Sequence, residues 1–455
     1  DNRYLLTLTF RSDKDSRFSP QYRTGYFPSA ALGWRVSNED FFKVDWISDL
    51  KLRGSYGALG VNTLSAYQYT GFLNQAPNAV FGVDQVTNAG AIQAKLASPD
   101  LRWEKKKTTN LGFDASLFEN KFTVNFDVFR SISEDVLLGQ PLAGYLGNLQ
   151  GDPIVNIGSI ENRGLELNLG YRPQIEGDFT WDIGANISIV KNKVLELGNL
   201  GIDLETGLPK DFIQSGNTRT QVGRSIGEYY VLKTNGIFQS QEEINAHRAQ
   251  SAYAKPGDIR YVNTIDGGTN DDINDKDRVF AGSPFPKFTS GLQFNSRYKD
   301  FSLSLQLYGA FGQKLYNDVL RELDSYGNSN YRRDINPWTP TNTDTSFPRL
   351  GYQFADNDRG INENARGNTD RWVENGSFLR MRNVELGYNF PSKLITKANI
   401  SNARIYISGQ NLFTITKYSG LDPDVVGANP NLEPGVDNGN YPSSRIISFG
   451  LSVGF

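Results

Sequence analysis

The chain has 455 residues, a net charge of −3 and no cysteine. The missing cysteine excludes a disulfide framework and thiolate metal sites, and the near-balanced charge gives no reason to expect nucleic acid. Mean hydropathy is −0.47, and no run approaches the ~18 apolar residues of a spanning helix, which leaves open a membrane crossing made by strands.

The first segment sets Tyr4, Leu6, Leu8 and Phe10 against Leu5, Thr7, Thr9 and Arg11, the period of two that marks a strand. Asp1 runs straight into this pattern with no signal peptide, so the chain is expected to be the C-terminal part of something longer. After the polar loop RSDKDSRFSPQYRTG, a second strand is expected over about Tyr26–Val36. A short connection holding Phe41, Phe42 and Trp46 leads to a third, with Leu50, Leu52, Gly54 and Tyr56 opposite Lys51, Arg53, Ser55 and Gly57. A long loop at about 61–99 precedes the fourth, which carries Leu111, Phe113, Ala115 and Leu117 on one face.

The tight turn Glu119-Asn120-Lys121 returns the chain into a fifth strand. Here Phe122, Val124, Phe126 and Val128 oppose Thr123, Asn125, Asp127 and Phe129, the clearest hairpin in the sequence. After a loop at about 133–155, the sixth strand sets Leu165, Leu167 and Leu169 opposite Glu166, Asn168 and Gly170. The seventh has Ile183, Ala185, Ile187 and Ile189 against Asp182, Gly184, Asn186 and Ser188. An excursion rich in Gly, Asp and Asn fills about 193–284. The eighth strand, near Phe288–Tyr298, and the ninth, near Phe301–Phe311, are joined by Lys299-Asp300. A second excursion spans about 315–376; the tenth strand lies near Leu379–Phe390 and the eleventh near Ala403–Leu412. A loop at about 413–444 leads to the last, where Ile447, Phe449, Leu451, Val453 and Phe455 point one way and Ser448, Gly450, Ser452 and Gly454 the other.

About twelve segments of ~10 residues, the length a tilted strand needs to cross a bilayer, repeat this amphipathic alternation. The connections alternate short (about 37–47, 119–121, 173–178, 299–300 and 391–402) and long. Outer-membrane barrels have short periplasmic turns and long extracellular loops, whereas a soluble sandwich has no reason to sort its loops so. The sequence therefore predicts an all-β fold, a transmembrane antiparallel β-barrel of the cell outer membrane. Its long loops exceed what a plain connector needs and are expected to contact substrate or a partner.

Specific stretches carry a resemblance. Asn375-Gly376-Ser377-Phe378-Leu379-Arg380-Met381-Arg382-Asn383-Val384-Glu385-Leu386-Gly387-Tyr388 is similar to a signature of SusC/RagA-type TonB-dependent transporters of Bacteroidetes. So are Ile407-Ser408-Gly409-Gln410-Asn411-Leu412-Phe413, Gly420-Leu421-Asp422-Pro423-Asp424, Pro256-Gly257-Asp258-Ile259-Arg260-Tyr261 and Asn156–Gly164, with Tyr441-Pro442-Ser443-Ser444-Arg445 at the close. The motifs fall in family order over nearly the whole chain. The resemblance implies a barrel of about 22 strands, of which this chain, residues 1–455, would be the C-terminal part, with the N-terminal plug and TonB box outside it. It further implies import of oligosaccharides or peptides with TonB energy and a SusD-like surface lipoprotein as lid, without enzymatic chemistry. The alternative is a docking barrel that holds a surface lipoprotein or secretion component without transport.

Candidate sites follow from residue chemistry. Asp266, Asp272, Asn274, Asp275 and Asp277 place oxygen ligands at the close spacing a hard cation takes, which suggests calcium, although no Glu stands at the twelfth position of the EF pattern. His247 is the sole histidine and stands in a polar loop without a serine-hydrolase motif. Tyr67, Tyr69, Phe72, Tyr145, Tyr326, Tyr331, Trp338 and Trp372 lie in expected external loops, where sugar rings could stack on them or a partner could bind. Trp103, Trp181 and Phe455, near strand ends, are expected as membrane-interface anchors beside outer-membrane lipid.

Overall fold

The structure is a computed structural model that describes residues 2–74, 78–140, 153–203, 207–250, 254–265, 272–324, 332–350, 364, 366–396 and 399–455. No helix of the described residues is long and apolar enough to cross a membrane. The chain divides into two compact units, residues 1–212 with 221–224, and residues 213–220 with 225–455.

The first unit is a run of long antiparallel strands in sequence order: β1 (Tyr4–Lys14), β2 (Thr24–Arg35), β3 (Ile47–Val61), β4 (Glu104–Leu117), β5 (Phe122–Gly139), β6 (Ile154–Tyr171) and β7 (Phe179–Glu196). Alternation sorts the side chains into two faces, because a strand's period of two is fixed. On one face Leu111, Val128, Leu165 and Ile189 pair across β4–β7, and Phe113, Phe126, Leu167 and Ile187 pair in the next row. The other face carries polar and charged side chains. Lys51 and Arg53 meet Asp114 at 2.8 and 2.9 Å, and Arg53 also meets Asp127 at 2.9 Å. Asn192 donates to Asn162 at 2.9 Å. Lipid offers no hydrogen-bond partner, so the ladder must satisfy the backbone and the apolar face must be the lipid one.

The turn between β4 and β5 runs through Phe118, Glu119 and Asn120, all at positive φ (53°, 57° and 65°), and closes with Lys121 N donating to the Phe118 carbonyl at 3.2 Å. Near this short-turn end an aromatic girdle forms: Phe122, Tyr171 and Trp181 stand in file at 6.4 and 5.6 Å between ring centres.

In the second unit, β8 (Phe288–Tyr298), β9 (Phe301–Phe311), β10 (Phe378–Asn389), β11 (Asn402–Gln410) and β12 (Ile446–Gly454) pair antiparallel in that order. Leu386, Ile407 and Phe449 form one outward row, while Arg404 meets Glu385 at 2.6 Å on the opposite face. Gly450 is required where it stands. The Tyr406 ring of the neighbouring strand covers it so closely that a Cβ would lie 2.1 Å from the ring.

All twelve expected strands are found, several longer than the alternation indicated. β5 continues to Gly139 and β6 begins at Ile154, where the sequence suggested a loop over about 133–155. The long excursions are built rather than loose. Lys314–Asn317 pairs with Val373–Asn375 and, in parallel, with Val436–Asp437, so one small sheet joins two different excursions. Glu228–Leu232 pairs with Arg278–Gly282, and Thr234–Ile237 with Ile259–Tyr261.

Candidate functional site

Functional side chains in a barrel of this kind stand where the long loops gather, and each unit has such a gathering. In the first unit the loop between β3 and β4 is fastened at both ends. Asp15 accepts from the Arg17 guanidinium (2.7 and 3.1 Å), the Arg17 backbone N–H (2.8 Å) and the Asn62 amide (2.8 Å). These donors, the Arg17 side chain foremost, hold its carboxyl down to about 2. Arg17 in turn donates to the Leu64 carbonyl at 3.0 Å. At the other end Leu101 and Trp103 bury themselves among Phe18, Phe27 and Leu64, and the Trp103 indole N–H donates to the Arg23 carbonyl at 3.1 Å. Tyr69 packs on this cluster, whereas Tyr67, at positive φ, leaves its ring 64 % exposed. A cavity of about 410 Å³ opens beside the cluster, lined by Leu96–Arg102 and by Gln140, Pro153, Val155 and Asn156.

In the second unit the loops are locked by buried polar struts. The Tyr229 hydroxyl donates to the Gly435 carbonyl (2.7 Å) and receives the Tyr316 N–H (3.2 Å). Burial pushes the Tyr229 hydroxyl far above its usual range, so it stays protonated as a donor. The Tyr418 hydroxyl donates to Asp437 at 2.6 Å, and burial with that hydrogen bond raises it as well. Arg380 is buried and binds Asp422, Thr414 (2.9 Å) and Ser443 (3.1 Å), while Arg382 meets Asp424 at 3.0 Å. Burial alone would raise the Asp422 carboxyl. The hydrogen bonds from the Asp424 and Ser443 backbone and from Arg380 outweigh it and hold the group below the usual carboxylate range. The bracket frames a cavity of about 370 Å³ that Phe413, Leu421 and Arg445 also line.

The sequence-derived candidates separate. Trp372 is 2 % exposed, packs with Tyr229, Tyr316 and Val436, and donates its indole N–H to the Arg366 carbonyl. Trp338 is buried with Tyr261 and Ile259 and donates to Gln239 at 2.9 Å. Both rings stand inside loop cores rather than on a loop surface. Trp103 likewise sits in the buried cluster above, not on the outer face. Trp181 belongs to the girdle and Phe455 is exposed. Tyr145, Tyr326, Tyr331 and Asp266 lie outside the described residues.

The rest of the acidic stretch caps itself. Asp277 is buried, and its carboxylate receives the backbone N–H of Thr264 (2.8 Å) and Asn274 (3.0 Å). Asn274 caps the short turn in return, and Asp275 pairs with Arg278 at 2.7 Å. Asp272 lies just ahead of this turn. Among the described residues no group of three or more His, Cys, Asp or Glu is arranged to hold a metal ion. His247 is a strut: its Nε2 lies 2.8 Å from the Tyr261 carbonyl and its ring meets Phe238 edge-on. It also lines a cavity of about 490 Å³ with Arg248, Arg260 and Asn263.

Sequence reasoning missed Tyr229, Arg380, Tyr418 and Asp437 as determinants of the site. Arg380 lies within the Asn375–Tyr388 motif, which assigns it no role. Two arginines, Arg380 and Arg382, close together in one strand were the available signal.

Comparison with known proteins places these features. Residues 1–209 match the family model described as TonB dependent receptor-like, beta-barrel. The whole chain aligns at 34 % identity with TonB-dependent receptor P3 of Formosa agariphila, covering 44 % of that protein. It aligns at 30 % with TonB-dependent receptor SusC of Bacteroides thetaiotaomicron, covering 42 %. Among solved structures the RagAB peptide transporter superimposes over the whole chain and 46 % of its own, with a TM-score of 0.79 at 24 % identity, a likeness of fold. The chain thus spans a little under half the length of the curated relatives it matches. Its apolar outer face, its polar opposite face and these alignments identify an outer-membrane β-barrel that carries a TonB dependent receptor-like barrel match over residues 1–209 and is similar over its whole length to TonB-dependent receptors, SusC among them.

Proposed function

We propose that this chain is the barrel portion of a lidded nutrient importer. The substrate is a peptide or an oligosaccharide. The lid is a SusD-like surface lipoprotein seated on the long loops. TonB supplies the energy through a plug and a contact segment carried by a preceding part of a longer receptor. The observation that carries the reading is the alignment with SusC over the full chain. The fastened loops support it, because a lid needs a firm seat and a weakly bound substrate needs pre-formed surface. Tyr67, exposed on the fastened loop of the first unit, is the first candidate for substrate contact. Trp181 and Phe455 are candidates for interface anchors.

The test is on the native receptor, extracted from outer membranes in mild detergent. Its intact mass and stoichiometric partners are determined, and uptake of labelled peptides and oligosaccharides is compared in cells with and without TonB. A surface lipoprotein partner with TonB-dependent uptake supports import. Partners from a secretion or adhesion system, with no uptake of either class, would make the docking barrel the better account.

A further inference from the structure

The lipid face of the first unit ends abruptly on its long-loop side. The last apolar row across β4–β7 is Leu111, Val128, Leu165 and Ile189. Two residues further along, the paired positions are Thr109, Arg130, Arg163 and Lys191. Beyond them on the same face stand Lys107 and Lys193, then Lys105. The alternation that put leucine and isoleucine toward lipid therefore puts a belt of cations at the level where acyl chains give way to headgroups. A charge on the lipid face is disfavoured by depth and tolerated near the interface, so the position of the belt is consistent with the band below it.

Internal carboxylates do not neutralise the belt. Glu161, 5 % exposed, lies between Arg130 (2.6 Å) and Arg163 (3.9 Å), whose side chains stay 60 % and 64 % exposed. One carboxylate thus orients two guanidinium groups and leaves their remaining donors outward. Lys107 meets Glu134 at 2.6 Å. Lys105, Lys191 and Lys193 are exposed and have no ion pair among the described residues. Six cations against two carboxylates leave a surplus of four. On the opposite face, by contrast, Asp114 of β4 and Asp127 of β5 are met by Lys51 and Arg53 of the neighbouring β3.

We infer that this belt on β4–β7 binds the phosphate groups of a phosphorylated glycolipid in the outer leaflet. Guanidinium forks take phosphate in a bidentate fashion, and flanking lysines add charge at the membrane surface, where dielectric screening is weaker than in bulk water. The patch would fix a lipid against the wall and is independent of what the receptor imports.

The full receptor, extracted in mild detergent and reconstituted with defined lipids, is analysed by native mass spectrometry for retained lipid. Wild type should hold the phosphorylated glycolipid in preference to its enzymatically dephosphorylated form. The variant carrying Arg130→Gln, Arg163→Gln, Lys191→Gln and Lys193→Gln should retain it at least about a hundredfold less. That variant leaves Glu161 buried without its partners and could fold poorly. The pair Lys191→Gln with Lys193→Gln leaves the Glu161 clamp intact and should still lose about thirtyfold. Heat-modifiable migration reports folding of each. Equal retention by the folded double variant, or equal retention of the dephosphorylated lipid, overturns the proposal. Displacement of the lipid by millimolar inorganic phosphate also overturns it, because the site would then serve free phosphate.

Discussion

The strand wall and the loop assemblies obey opposite rules of burial. In the wall's apolar band, large apolar side chains point out; Phe449 is 80 % exposed, and the Arg404–Glu385 pair stands on the other face. In the loops, Tyr229, Tyr316 and Trp372 are buried and the polar groups among them are paired. The difference is one of solvent. Hydrocarbon surrounds the wall and rewards apolar exposure, while water surrounds the loops and demands a core of their own. A tryptophan therefore has no fixed meaning in this chain, since Trp181 stands in an outer girdle and Trp372 in a loop core.

The sharpest way to break the loop side of the comparison is Arg380→Ala. It removes a buried guanidinium and leaves half-buried Asp422 without its cation, which should destabilise the bracket by about 3–5 kcal/mol. Hydrogen exchange across residues 411–445 should rise while that of β11 stays slow; unchanged protection would show that the bracket is dispensable. For the wall, Leu167→Arg puts a charge in the apolar band and should cost about 2–4 kcal/mol, whereas Asn168→Arg on the opposite face should cost well under 1 kcal/mol. Denaturant titration of the receptor in lipid vesicles compares the two, and equal costs would erase the distinction between the faces.

A smaller effect is expected from Tyr418→Phe, which removes one buried hydrogen bond to Asp437 and should loosen the loop by about 1–2 kcal/mol. Asp437 keeps the Gly439 and Asn440 N–H groups as donors, at 3.0 and 3.3 Å, which limits the loss. Limited proteolysis near residues 426–432 measures it.

The smallest and most local effect is one of pH. The Asp15 carboxyl lies lower in the folded state, at about 2, than the 3.8 of an unperturbed aspartate. Its contribution is present above the unfolded value and is lost as the pH falls through the folded one. Loosening of the loop at Leu64 is therefore expected between about pH 4 and pH 2. Asp15→Asn should remove that transition, and hydrogen exchange at residues 62–64 reads it out.

The wall was legible because period-two alternation is local. The Leu111–Phe129 hairpin and the Lys299-Asp300 turn are legible from neighbouring residues alone. Strand ends were less so, because β5 and β6 extend past the membrane band into residues that no longer alternate cleanly, such as Ser133–Gly139. The loop cores were not legible. Tyr229 reaches Gly435 across 206 positions and Tyr418 reaches Asp437 through a fold of its own loop, and nothing in composition encodes such pairings. Trp338, Trp372 and Trp103 looked like surface aromatics because polar neighbours surround them in sequence. Their partners came from elsewhere in the chain.

The loop between β3 and β4 has a further consequence for diversification. Asp15, Arg17 and Trp103 close its two ends, with Tyr69 packed on the closure, while Tyr67 and residues 78–91 are exposed beyond it. Its tip can drift, lengthen or be exchanged without disturbing the strands that carry it. The same separation makes the tip a natural place to graft a foreign epitope for display on the cell surface.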